Sequence, residues 1–266
     1  MKIELDINKS AQQNANDYYN RHKKLMQKNA GIEKAITDLE KKLEKIKSKQ
    51  AAQLKEIAEK KAIKQRNKDW FEKFHWFFTS SGMLAIGGRD STQNESINSK
   101  YFTDKDLFFH SDIFGASVVI LKEGINANAE TKQEVAQFAA SYSSAWKEML
   151  KTIDVYCVRR EQVSKSTSKG SISKGSFLIS GTREYFRNTE LGLVLFVESE
   201  RVNAVPISTF SRIMEKKQIV KYAFLRQGKV IKSDAAKIIA KLFDYPNVDD
   251  IMQAMPAGTF QVSESI

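Results

Sequence analysis

Between Ala11 and Ile46 a mostly apolar position recurs every three or four residues: Ala11, Ala15, Tyr18, His22, Leu25, Asn29, Ile32, Ile36, Leu39, Leu43 and Ile46. Alternating steps of four and three are the seam of a coiled coil, one stripe along a helix that winds on another helix. The register passes Gly31 without a break, so it predicts one continuous helix there rather than a hairpin turned at the glycine. Ser10 is the expected N-cap. Beyond Gln50 the apolar positions (Leu54, Ile57, Ala58, Ala62, Ile63) are smaller and scattered, and helix is expected to about Asn67. At ~1.5 Å per residue, ~55 residues would span roughly 80 Å. A lone helix cannot bury its own seam, so this one requires a partner: another chain, a second copy, or a further part of the same polypeptide.

Charge is concentrated on the same segment. The 266 residues carry a formal +11, of which residues 1–68 hold +9, from 16 Lys and 2 Arg against 9 Asp and Glu. A basic arm favours a polyanionic partner, nucleic acid above all; the alternative is a solvated helix with lysines on its outer face. Cys157 is the sole cysteine, which excludes an internal disulfide and a multi-cysteine metal site. No run of ~18 apolar residues and no leader pattern occurs, so neither a membrane span nor a signal peptide is expected, and the expected location is cytoplasmic. Nothing in the chain calls for a cofactor.

The remaining pattern mixes helix and strand signals, which gives an α+β fold class. The expected organisation is a basic coiled-coil arm at 1–68, a mixed α/β domain at 69–200 and a small α/β extension at 201–266. The pivotal stretch is WFEKFHWFFTSSGMLAIGGRDSTQNE from Trp70 to Glu95. Residues 71–78 read as a strand with aromatics on both faces, Ser80, Ser81 and Gly82 as a turn, and 83–86 as the returning strand. Gly87 and Gly88 permit a sharp bend, and Asp90 caps a helix to about Lys100. Strands are expected at 107–110, 118–121, 154–158, 162–163, 176–179 and 191–197. A helix is expected at 131–150, and SKSTSKGSISKG reads as a polar loop. Toward the end the pattern predicts a strand at 220–225, a helix at 234–242 capped by Ser233, and a helix at 248–255.

Several residues could carry chemistry. Arg89, after two glycines, could grip a phosphate through its planar fork, or pair with Asp90 or Asp112 to order the loops. Asn94 and Gln93 could read a base edge or a ribose hydroxyl. His110 with Asp112 invites an acid/base reading beside the plainer one of a hydrogen-bonded structural histidine. Arg159, Arg160, Lys165, Lys169 and Lys174 surround the Ser-rich loop and form the best phosphate-facing patch, against the alternative of an ordinary surface loop. Trp70, Phe74 and Trp76 could stack on bases, although aromatics among apolar neighbours belong more often to a core. SYSSAW reads as packing, with Ser143 or Ser144 bonding back to the helix. Cys157 reads as buried and inert.

The stretches ELDINKSAQQNANDYY, DWFEKFHWFFTSSGMLAIGGRDSTQNE, HSDIFGAS, SYSSAW and EQVSKSTSKGSISKGSFLISG occur in that order. Together they resemble the C-terminal half of the NFACT proteins, from about residue 3 to residue 198, and in particular the domain called NFACT-R. IGGRD with QNE, and the IMQAMPAG tail, are similar to archaeal and eukaryotic members. The resemblance implies ribosome-associated quality control: binding of a large ribosomal subunit that carries peptidyl-tRNA, with contacts to rRNA and tRNA. It also implies no enzyme active site, because the ribosome supplies peptidyl transfer. Two departures accompany it. The family's N-terminal domain, NFACT-N, and the other coiled-coil arm are absent, which implies a fragment or a naturally split subunit. Phe114 stands where the family often has a second histidine. The expected function is therefore an RNA-binding module of a ribosome-rescue factor. Two rivals stay open: a coiled-coil protein scaffold, dimeric in isolation through Ile32, Ile36, Leu39 and Leu43, and a hydrolase using Arg89, Asp90, His110 and Asp112.

Overall fold

A continuous heptad pattern should give a continuous helix, and the computed structural model contains one: α1 (Ala11–Ala62) runs 52 residues through Gly31, about 78 Å at 1.5 Å per residue. The described residues are 3–62, 67–167 and 170–264. They fall into two units, Met1–Gln65 and Arg66–Ile266. In the first unit Ser10 and Gln13 form a reciprocal capping box, with Gln13 N donating to Ser10 Oγ at 3.3 Å and Ser10 N to Gln13 Oε1 at 2.9 Å. The preceding segment folds back onto the first turns: Asn14 exchanges two bonds with the Asp6 backbone, and Tyr18 Oη donates to Glu4 O at 2.7 Å. Seam residues Leu25, Ile32, Ile36, Leu39, Leu43 and Ile46 are exposed. The expected helix end near Asn67 abuts residues 63–66, which lie outside the described residues.

The second unit contains, in chain order, β1 (His75–Phe78), β2 (Leu84–Gly87), α2 (Ser91–Ser96) continued by a π-helical turn (Ile97–Tyr101), β3 (Leu107–Ser111), β4 (Val119–Leu121), α3 (Ala129–Ser141), α4 (Ser144–Lys147), β5 (Thr152–Arg159), β6 (Val163–Ser164), β7 (Ser166–Thr167), β8 (Gly170–Ser171), β9 (Leu178–Ile179) and β10 (Glu184–Glu190). There follow β11 (Leu193–Glu198), β12 (Arg201–Pro206), α5 (Ile207–Lys217), β13 (Tyr222–Ile231), α6 (Lys232–Phe243), α7 (Val248–Ala254) and β14 (Thr259–Glu264). A six-stranded antiparallel sheet has the order β1-β2-β4-β3-β5-β10, and a four-stranded one the order β12-β11-β13-β14. Two short ribbons, β6-β9 and β7-β8, fold the Ser-rich loop onto itself. No helix of the described residues is long and apolar enough to cross a membrane.

Period-2 alternation sorts the strand residues between two cores. Phe77, Ala85, Phe109, Val119, Val155 and Cys157 turn toward α3 and share one cluster with Leu195, Ala223 and Leu225 of the second sheet. Their neighbours Ile86, Phe108, Ile120, Tyr156 and Val158 turn the other way and join Phe71, Phe74, Ile97 and Phe102. Trp146 anchors α4 to the second sheet: it is fully buried, lies 5.6 Å from Phe260 and donates Nε1–H to Thr259 O at 3.2 Å.

Several expected elements are corrected. The strand over 71–78 is only β1. Residues 69–74 form turns instead, with Glu72 N bonded to Asp69 O and Phe74 N to Phe71 O. Phe71 and Phe74, three apart, thereby enter the same core, a helical rather than an extended spacing. Nor is the strand buried on both faces, since Phe78 is 43% exposed at the sheet edge. The expected 131–150 helix is two helices, broken at Tyr142 and Ser143, where Ser143 Oγ donates to Ala140 O at 2.7 Å and accepts from Ala145 N at 3.3 Å. The last long helix is preceded by Ile231 rather than capped by Ser233. The polar strand β10, the strands β12 and β14, and α5 were not expected, because their apolar residues are few or interrupted by polar ones.

Candidate nucleic-acid interface

The sheet face turned away from α3 carries a file of rings. Register places His110 of β3 opposite Tyr156 of β5, and Tyr156 opposite Tyr185 of β10. Ring centroids are 5.9 Å apart from His110 to Tyr156 and 5.9 Å from Tyr156 to Tyr185. Phe108 continues the file 6.2 Å from His110, and Phe177 of the Ser-rich segment lies 5.9 Å beyond it. Phe102 lies 5.9 Å to the side of Phe108.

Cations lie on these rings. The Arg187 guanidinium is 3.9 Å from the Tyr185 centroid and Arg183 is 4.6 Å from Tyr156, while Arg160 is 5.1 Å from Phe102 and the Lys165 ammonium 4.9 Å from Phe177. A cation within ~6 Å of a ring is attracted by its quadrupole, which orders a long side chain that would otherwise be mobile. Arg183 also donates to Tyr185 Oη at 3.4 Å, and Arg187 pairs with Asp154 at 2.5 Å. These bonds hold the Asp154 carboxyl below its usual pKa and raise both guanidinium groups further. Phe102, Phe108 and Tyr156 of the file are buried, so what this face exposes is the half-buried rings of His110, Phe177 and Tyr185 with the ordered cations beside them, a surface suited to phosphate contacts.

The residues singled out from sequence are distributed unevenly over this surface. His110, Arg160 and Lys165 belong to it. His110 is a link in the ring file, and burial lowers its pKa against the smaller opposing pulls of backbone bonds and Asp112. Lys165 is a strut: it pairs with Glu95 at 2.7 Å, holds that carboxyl below its usual pKa, and donates to Ser173 O and Ser176 O. Arg159 and Lys174 are exposed on the flank. Lys169 lies outside the described residues.

Arg89 is elsewhere, in a crevice shared with His75, Tyr142 and Gln253. Among the described residues it pairs with neither Asp90 nor Asp112. Its fork donates instead to Glu72 O, Phe74 O and Gln253 Oε1 at 3.3, 3.0 and 3.2 Å, and burial lowers its pKa. Asn94 is buried, and its Oδ1 accepts from Val118 N at 3.2 Å, an internal tie rather than a surface contact. Gln93 likewise turns inward, accepting from Arg89 N at 3.1 Å and donating to Lys73 O at 3.1 Å. Asp90 caps α2 as expected, accepting from Gln93 N at 2.8 Å.

Gly88 explains the double glycine. A Cβ there would stand 2.0 Å from Asn94 Oδ1 and 2.9 Å from Asn94 N, so only glycine admits the start of α2. Gly88→Ala is expected to cost about 1–3 kcal/mol, as overpacking does. A urea midpoint within error of the unsubstituted chain would show that the loop relaxes freely.

Phe74 is core, whereas Trp70 is 47% exposed and stacks on Tyr101 at 4.8 Å and 7°. Phe114 projects from the Gly115 turn at 97% exposure, with its carbonyl held by Ser144 Oγ at 2.7 Å. Cys157 is buried, and its thiol is pushed up to about 12. Arg183, Tyr185 and Arg187 were missed. REYFRNTE does carry the signal, a cation and aromatic alternation with period 2, but it lacks the aliphatic residues that announce a strand.

A family model described as the NFACT protein RNA binding domain matches residues 73–181. The archaeal Rqc2 homolog aRqcH of Methanocaldococcus jannaschii is 36% identical over 211 residues, 76% of this chain and 30% of that protein. The ribosome quality control complex subunit NEMF homolog of Drosophila melanogaster is 36% identical over 204 residues, 74% of this chain and 20% of that protein. Human ribosome quality control complex subunit NEMF is 36% identical over 176 residues, 65% of this chain and 16% of that protein. The chain thus spans less than a third of the length of each of these relatives.

Proposed function

This chain is a member of the NFACT family, and from that premise we propose that it is an RNA-binding module of a ribosome-associated quality control factor, with its RNA contacts on the ring-and-cation face of the six-stranded sheet. The observation that carries the reading is the set of four ordered cations, Arg160, Lys165, Arg183 and Arg187, laid along one sheet face beside the half-buried rings of His110, Phe177 and Tyr185. The finer statement is that this face and the basic arm hold rRNA or tRNA on a large ribosomal subunit carrying peptidyl-tRNA, in the cytoplasm. The seam of α1 is then covered by a second coiled-coil arm, supplied by an NFACT-N-containing segment or by another copy. The role is binding rather than catalysis: His110 is committed to the ring file, so the hydrolase reading has no favouring observation.

A salt series tests this. Binding of the purified chain to tRNA and to large-subunit rRNA should weaken steeply with salt, because each neutralised phosphate contributes a slope of about 0.9. The double variant Arg159→Ala/Lys174→Ala, which removes two exposed flank cations, should flatten the slope by about 1–2. Arg89→Ala should leave it unchanged, its fork being occupied by Glu72, Phe74 and Gln253. Absence of RNA affinity in the unsubstituted chain would favour the protein-scaffold reading, for which the exposed seam of α1 is the supporting feature.

A further inference from the structure

β1 is the outermost strand of its sheet, and the hydrogen-bond ladder shows which of its peptide groups are free. Lys122 N donates to Leu84 O at 2.9 Å and Gly88 N to Val118 O at 3.0 Å, so Leu84, Ile86 and Gly88 address β4. In an antiparallel ladder the intervening residues address the other neighbour. Ala85 and Gly87 therefore bond β1, through their register partners Phe77 and His75. Thr79 N to Met83 O at 2.9 Å continues the series. Trp76 and Phe78 consequently point N–H and C=O out of the sheet, and among the described residues neither backbone meets a partner.

Natural sheets usually blunt such an edge with lysine, proline, a bulge or a covering element. β1 reads His-Trp-Phe-Phe and has none of the first three. Alongside it runs an open cleft of about 580 Å³, whose other walls are β12 and α5, a volume within the range that holds ligands. Phe78 and the part-exposed Trp76 supply apolar surface, and among the described residues lining the cleft Arg201, Lys216 and Lys217 outnumber one carboxylate, Glu198. Lys217 pairs with Glu198 and Arg201 with Asp69, which leaves Lys216 with no carboxylate at ion-pair distance among the described residues.

We propose that this cleft docks an extended peptide, which adds a seventh strand to the sheet at Trp76 and Phe78, sets apolar side chains against the rings of those two residues, and sets acidic ones toward Lys216. Strand addition suits the free groups because a peptide offers N–H donors for the two carbonyls as well as acceptors for the two amides. Phosphodiester groups offer no donors. The site is separate from the proposed RNA face.

The test is hydrogen exchange at the Trp76 and Phe78 amides, followed by NMR on the full chain. Three probes are added in turn: an acetylated octapeptide of alternating valine and glutamate, its valine and lysine counterpart, and an octauridylate. The glutamate peptide should slow both amides saturably, by about tenfold or more, and the lysine peptide should not. Phe78→Pro removes an N–H that no ladder bond uses, at an edge where proline is tolerated; Lys216→Glu reverses the charge at that position and leaves the strand intact. Each should weaken peptide binding about tenfold. No slowing at millimolar glutamate peptide overturns the proposal, as does binding that survives Lys216→Glu unchanged. Slowing by the octauridylate alone would reassign the cleft to RNA.

Discussion

Asp106→Ala is expected to destabilise the globular unit by about 3 kcal/mol, the lower end of what breaking a buried ion pair costs. The Asp106 side chain is 1% exposed and pairs with Lys122 at 2.5 Å. It also accepts from Thr103 N, Thr103 Oγ1 and Glu123 N at 2.8, 2.9 and 2.8 Å. Alanine would orphan all of these donors at once, in a place where water reaches only part of the lysine. The loss falls at the lower end because Lys122 is 24% exposed and keeps its bond to Tyr101 O. Asp106 directly precedes β3, the strand that carries Phe108 and His110, so the damage should extend to the ring file. Asp106→Asn, which keeps the size and one acceptor oxygen, should cost clearly less. Urea unfolding measures both variants. A loss below about 1 kcal/mol for alanine would mean the pair behaves as a surface salt bridge.

Arg183→Ala/Arg187→Ala should weaken RNA binding about thirtyfold at 0.15 M salt, since two phosphate contacts with slopes of ~0.9 each contribute about 1.5 logarithmic units there. The same variant should flatten the salt slope by nearly two. Arg187 lies over the half-buried Tyr185 and Arg183 over Tyr156 at the margin of the second core, and neither side chain is itself fully buried. A stability measurement in parallel separates lost contacts from lost fold. Tyr185→Ala complements it: it removes a stacking platform while leaving charge unchanged, so affinity should fall with the slope intact. If the double variant binds as before, the interface is not on this face, and the basic arm becomes the place to look.

What was legible in the sequence was whatever depends on near neighbours along the chain. The heptad spacing from Ala11 to Ile46 specifies α1, because side chains three and four apart share a helix face wherever the helix is. The Asp90 cap, the Ser10 N-cap and the buried run of β4 are equally local. Family membership was legible too, from several motifs in a fixed order. The candidate site was legible only in part, since charge and aromatic content mark residues that could touch RNA but do not say which way they point.

The rest was decided by contacts between segments far apart in sequence. Arg89 looks like a phosphate grip beside Gly87 and Gly88, yet the carbonyls of Glu72 and Phe74 occupy its fork once the preceding turn folds over it. Lys165 looks like a free loop cation until α2 brings Glu95 to within 2.7 Å. Arg183, Tyr185 and Arg187 show only a period-2 alternation, and become a surface when β10 pairs with β5 in the register that sets Tyr185 beside Tyr156. Composition, capping and helical period are properties of a short stretch and can be read from it. Strand register, and the partner each cation finds, follow from how the whole chain buries its apolar residues, and only the tertiary structure states them.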